Sequence, residues 1–219
     1  MATTVNATYS NFYRMYGTNN YSSLTMTTYA RAYVGYNGYR YRAAFQFNNL
    51  SLPAGAIITD AKLSFYVNSL SNAPADNFYI AATDKDLSGL SKADLITAMT
   101  DIESASYTYK QNSTTTMNAL SANSTHTESL NGATFKNVFN TSNSSFYIII
   151  GGVNTYTSNK YFRIDASPTP TLSITYIQGT MFYRTNNQWQ ECLVRYYDGS
   201  KWVQVMPKYY DGSNWVQVR

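Results

Sequence analysis

The chain has 219 residues and a net charge of +4, with 13% charged and 16% aromatic residues, 22 of them tyrosines. So aromatic a composition excludes a disordered chain, and so low a charge leaves solubility to Ser, Thr, Asn and Tyr. Of 16 basic and 12 acidic residues, 5 and 3 lie in 179–219 and 11 and 9 in 1–178, so no Lys/Arg run marks a nucleic-acid binder.

The opening "MATTVNATYSNFYRMYG" has neither a basic n-region nor an apolar h-region, so no secretory signal is expected. Strands follow. In "YRYRAAFQF", Tyr39, Tyr41, Ala43, Phe45 and Phe47 share one face, with Arg40, Arg42, Ala44 and Gln46 on the other. "AKLSFYV" turns Ala61, Leu63, Phe65 and Val67 inward, and "TLSITYI" does so with Leu172, Ile174 and Tyr176. This period-2 alternation predicts half-buried antiparallel strands. "FYIII" at 146–150 is apolar on both faces and suits a central strand; the run 146–153 around it is too short to span a bilayer. "NG" at 37–38 and 131–132, "LPAG" at 52–55 and "SPTPT" at 167–171 read as turns.

One capped helix is predicted near 92–100, because Ser91 and Asp94 form a capping box ahead of "LITAM". The Ser-, Thr- and Asn-rich stretch 111–145 reads as long loops with a second short helix at 134–140. The pattern predicts an all-β protein, a jelly-roll β-sandwich over 1–177.

"YRAAFQFNNLSLPAGAIITDAKLSFYV" resembles the signature of the DNRLRE-type jelly-roll family, in which a strand ending F-x-F precedes an L-P-x-G-A-x-I turn and an A-x-L-x-F-Y strand. "YFRIDASPTPTLSITY" is similar to that family's closing P-x-L-x-I-x-Y strand. The literal D-N-R-L-R-E string is absent. The resemblance implies a surface-exposed or carbohydrate-binding setting.

Residues 181–219 switch to a period of thirteen. Tyr183 and Trp189 are followed by Tyr196 and Trp202, then by Tyr209 and Trp215, and "YYDGSKW" and "YYDGSNW" are near-identical copies. Asp-Gly at 198–199 and 211–212 signals hairpin turns. The expected fold is a three-stranded antiparallel β-meander (189–197, 202–210 and 215–219), with Tyr197 across a turn from Trp202 and Tyr210 across from Trp215. So small a unit has too little apolar surface to stand alone. It is expected to pack on the sandwich, on copies of itself or on another protein. Such Trp and Asp-Gly repeats resemble the C-terminal tails of tailed-bacteriophage structural proteins. That resemblance implies other virion proteins as partners, homo-oligomers, assembly in the host cytoplasm and release by lysis.

Residues capable of chemistry are sparse. His126 sits in the polar stretch "NSTHTES" and reads as a solvated loop residue, since a Ser-His-Asp device needs an oriented His backed by an acid. Cys192 is the only cysteine, which rules out an internal disulfide, and it reads as a small apolar strand residue. In "DKDLSG", Asp84, Asp86, Ser88 and Gly89 match positions 1, 3, 5 and 6 of a calcium loop, but Lys92 and Leu95 fill positions 9 and 12. No catalytic, cofactor or metal site is expected. The expected assembly interface or ligand surface comprises Trp189, Tyr197, Trp202, Tyr210 and Trp215, as packed sheet aromatics or as a stacking platform for a host-surface glycan. A non-enzymatic virion surface protein without membrane insertion, as capsid decoration or short tail or baseplate appendage, is the expected function. A carbohydrate-binding or adhesin module comes second, a polysaccharide-degrading enzyme third.

Overall fold

A computed structural model describes residues 2–16, 23–27, 30–31, 39–48, 50, 52, 56–139, 145–152, 160–178, 181–185, 188–192, 195–204, 208–210 and 215–217. Eleven strands form the sandwich: β1 (Ala2–Tyr16), β2 (Ser23–Thr27), β3 (Ala30–Arg31), β4 (Tyr39–Asn48), β5 (Ala56–Ser71), β6 (Asn77–Thr83), β7 (Lys110–Thr116), β8 (Ser124–Leu130), β9 (Ser145–Gly152), β10 (Tyr161–Asp165) and β11 (Thr171–Gln178). Two helices, α1 (Lys92–Glu103) and α2 (Gly132–Phe139), and a 3-10 turn at Met117–Ala119 interrupt them. The protein is all-β, with antiparallel pairing throughout.

Two layers share one strand. In the first, β8 pairs one edge of β5, while β11 and β10 pair successive stretches of its other edge. β10 and β11 are therefore one strand interrupted at 166–170. Residues 2–6 of β1 add to β11, and β3 adds to β10, in this layer. A register shift between Ala7 and Tyr9 then carries β1 into the second layer, ordered β2–β1–β4–β9–β6–β7. A bulge is a common means of bending a strand from one sheet to another.

The inward faces form one core. Phe45 and Phe47 of β4, Leu63 and Phe65 of β5, Phe78 and Ile80 of β6, Ile148 and Ile150 of β9, and Leu172 and Ile174 of β11 are all buried there. Each such side chain contributes about 1.5–3 kcal/mol by leaving water. Phe135, Val138 and Phe139 of α2 join the same cluster. Asn131 caps this helix through Oδ1, which accepts from the N–H groups of Ala133 and Thr134, so the second Asn-Gly starts a helix instead of making a turn. A Cβ at Gly132 would lie 2.8 Å from Ile58 Cγ2, which explains the glycine.

Helix α1 makes a third layer on the outside of the second sheet. Ser91 caps it as the sequence predicts, its Oγ accepting from Asp94 N–H at 3.2 Å and donating to Asp94 Oδ2 at 2.6 Å. Leu95, Met99 and Ile102 pack on Ala44, Ala81, Tyr147 and Ile149. This cover corrects the expectation for β4: both faces are buried over residues 41–45, and Arg42 is 1% exposed. FYIII lies in β9, between β4 and β6, the central position its two apolar faces require.

The stretch 111–145 holds two strands and a 3-10 turn, not long loops. In β8, burial alternates, with Glu128 and Leu130 buried and Thr125, Thr127 and Ser129 exposed. The period was present in the sequence, but a polar residue occupies an inward position, so hydrophobicity did not report it.

The described residues of the tail form six short strands: β12 (Met181–Thr185), β13 (Gln188–Cys192), β14 (Arg195–Tyr197), β15 (Trp202–Gln204), β16 (Lys208–Tyr210) and β17 (Trp215–Gln217). Among the described residues they pair as three two-stranded hairpins, not as the three-stranded meander expected. Among the described residues, every tail ladder lies within a single repeat copy.

Candidate functional site: the aromatic hairpins of the tail

The three hairpins share one register. Arg184 faces Trp189, Tyr197 faces Trp202, and Tyr210 faces Trp215, each pair thirteen residues from the next in sequence. The cross-turn partners expected for Trp202 and Trp215 are the observed ones, and the first copy substitutes arginine for the tyrosine.

The second hairpin shows how the turn is built. Asp198 N–H donates to Lys201 O at 3.0 Å, and Gly199 takes a φ of +100°, a conformation open to glycine and strained for other residues. Asp198 Oδ1 accepts from Ser200 N–H, Ser200 Oγ and Lys201 N–H at 2.8–2.9 Å. These donors, Lys201 N–H first, hold the Asp198 carboxyl below its ordinary range. The turn therefore locks itself through its own side chain.

That turn presents an aromatic pair to solvent. The Tyr197 and Trp202 rings lie 5.6 Å apart at 56°, yet remain 54% and 67% exposed. A tryptophan this exposed adds little to the stability of its own hairpin and offers ring area to a partner. The backbone places Trp189, Tyr210 and Trp215 at their register positions. Their side chains and that of Cys192 lie outside the described residues.

Elsewhere, polar side chains serve the fold. Arg42 Nε contacts Glu103 Oε1 at the end of α1, and Lys110 Nζ donates to the carbonyls of Glu103 and Ser104. Lys110 thus caps a helix whose own last turn lacks a cation. Burial pushes the Glu103 carboxyl up to about 8, against the pull of Lys110, and burial likewise lowers Lys110. The touching Arg42 guanidinium opposes the rise at Glu103 and favours its anion. A Cβ on Gly151 would lie 2.5 Å from Arg42 Cδ and 2.6 Å from the Tyr79 hydroxyl, so this cluster requires glycine beside it.

His126 lies in β8 and not in a loop. Its ring packs edge-on against Phe65 and Phe78, and Nε2 is 2.9 Å from Glu128 Oε2. An acid does back this histidine, but among the described contacts its partners are that carboxylate and two phenylalanine rings.

The 84–89 stretch turns inward on itself. Asp86 Oδ1 accepts from Ser88 N–H, Ser88 Oγ and the Tyr147 hydroxyl, and Leu95, at loop position 12, is buried on the inward face of α1. These hydrogen bonds, Ser88 Oγ foremost, lower the Asp86 carboxyl. Among the described residues, no group of three His, Cys, Asp or Glu could hold a metal ion. No described helix is long and apolar enough to cross a membrane.

No known protein family's model matches the chain, and no curated protein matches its sequence.

Proposed function

We propose that this protein is a non-enzymatic virion surface protein of a tailed bacteriophage, a capsid decoration or a short tail or baseplate appendage. In this reading the sandwich is of jelly-roll type, ends near Ile177 and is displayed outward, while residues 181–219 carry assembly with other virion proteins or other copies of the chain. The observation that carries it is the repeated register: three hairpins present the same tryptophan position, and the second exposes a Tyr–Trp pair. Repeated weak contacts on one tether gain affinity through effective concentration, which suits docking to a repetitive shell. The resemblance of the repeats to phage tail segments supplies the virion setting.

The test is deletion of 181–219. The shortened protein should stay folded but lose oligomerisation in sedimentation and incorporation into particles. Assembly equal to that of the full chain would sink this reading.

A second reading, a carbohydrate-binding or adhesin module for cell-surface glycans, is favoured by the exposed Tyr197 and Trp202 rings, which are suited to stacking on sugar rings. A glycan array separates the two.

A further inference from the structure

The two sheets differ on their outer faces. The second sheet turns Ala44, Ala81, Tyr147 and Ile149 outward and is covered by α1. The outer face of the first sheet is covered by neither helix: α1 lies on the other sheet, and α2 belongs to the interior cluster.

This open face is built in rows across the strands. Thr127 of β8, Ser64 of β5, Thr171 of β11 and Asn6 of β1 stand side by side. The next row is Ser129, Lys62, Ser173 and Thr4. All eight side chains are exposed or half-buried. Ser64 Oγ is 2.8 Å from Thr127 Oγ1, and Thr4 Oγ1 donates to Ser173 Oγ at 3.4 Å, so the hydroxyls do share one face. Strand spacing sets them about 4.8 Å apart across the sheet and about 6.7 Å apart along it.

Among the described side chains, the charges on this face are paired. Lys62 Nζ pairs with Asp60 Oδ2 at 3.1 Å, and Arg163 pairs with Asp165 through two contacts at 2.9 and 3.4 Å. A charged polymer finds no unpaired counter-charge among those described side chains. An apolar protein layer would bury the hydroxyls without partners, which is unfavourable. What fits is a neutral ligand as dense in hydrogen-bonding groups as the face, since each Ser or Thr hydroxyl both donates and accepts. Tyr66, half-buried and beside Thr125 and Asp165 at one margin, adds a rigid ring for the apolar face of a sugar.

We propose that the outer face of the β8–β5–β11–β1 sheet binds a neutral polysaccharide laid along its hydroxyl rows. This rests on the glycan-recognising reading of the protein and moves the site from the tail to the sandwich.

The test is affinity electrophoresis of the full-length protein through gels containing soluble glucan, xylan or mannan, with alginate as the anionic probe. At least one neutral polysaccharide should retard the protein and alginate should not. Ser173→Lys and Thr127→Lys, each checked for an unchanged melting temperature, should weaken retardation at least tenfold. Thr127 is exposed where Ser173 is half-buried, so its variant keeps the test available if Ser173→Lys unfolds. Thr97→Lys on α1 should retain binding. Binding lost in Trp202→Ala but kept in both sheet variants would overturn the proposal while leaving glycan recognition in place. Retardation by alginate alone, or by none of the polymers, would overturn it too.

Discussion

Glu128 on β8 reaches Thr114 on β7 twice, its Oε1 accepting from the Thr114 main-chain N–H at 2.5 Å and from the hydroxyl at 2.7 Å. Strand β7 borders one sheet and β8 the other. Gln111 spans the same gap, its Nε2 donating to Ser129 O and its Oε1 accepting from Asn131 N–H. One side of the sandwich is therefore joined by the continuous strand β1 and the other by side chains that stand in for a ladder. Two open edges are covered without merging the layers.

Acid should loosen this seam. Burial pushes the Glu128 carboxyl up, but hydrogen bonds from His126 and Thr114 outweigh it and hold the group below its ordinary value of 4.5. A carboxyl lowered by folding contributes stability above 4.5, and that contribution is lost as pH falls through the folded-state value. Glu128→Gln should flatten the fall in stability between about pH 5 and 3 in urea titrations, and cost about 1–3 kcal/mol at pH 7. An unchanged acid limb would mean the seam does not depend on the carboxylate.

Removing one partner of the Arg42–Glu103 pair leaves a buried charge uncompensated. Glu103→Ala should destabilise the fold by about 3–5 kcal/mol, readable as a lower denaturation midpoint with an unchanged slope. Glu103→Gln, which keeps a hydrogen-bond acceptor for the guanidinium, should cost less.

Trp202 is two-thirds exposed, so Trp202→Ala should leave the melting temperature of the sandwich unchanged. If the tail carries assembly, the same change removes an aromatic that becomes buried in the interface. A loss of about 3 kcal/mol corresponds to a more than hundredfold weaker association constant. Analytical ultracentrifugation measures both the monomer fraction and its dependence on concentration. Equal association of wild type and variant would remove Trp202 from the interface.

Limited proteolysis should cut first near 178–182 and release an intact sandwich. First cuts within 39–67 would contradict the boundary, since β4 and β5 are core strands.

Purified protein should release no reducing ends from bacterial polysaccharides. Sustained release, abolished by one Asp or Glu substitution, would establish an enzyme.

Several features were legible in the sequence because one residue type reported one physical demand. Ser91 and Asp94 announced the start of α1, and alternation at 61–67 and 172–176 announced inward faces. Asp198-Gly199 marked a turn whose flanking residues, Tyr197 and Trp202, pair as expected. Other features required distant chain segments to meet. Arg42 looked like a solvent-facing residue because nothing near it in sequence says that a helix fifty residues later covers that face. The inward place of Glu128 was hidden because its partners, Thr114 and His126, make burial of a carboxylate tolerable only in three dimensions. The tail copies announced their own hairpins, but identical copies carry no instruction about whether strands pair within a copy or between copies.

Strand β1 has a consequence for the timing of biosynthesis. Its residues 7–16 pair with β4, within reach soon after synthesis, but residues 2–6 pair with 171–175, almost the last part of the sandwich to be made. At about 5–20 residues per second, the first few residues wait roughly 10–30 s for their partner. During that wait β1 offers one bare margin to any nascent neighbour, and loop closure over that separation is slow. The tail is made after that partner, so its hairpins emerge when the two layers can already close.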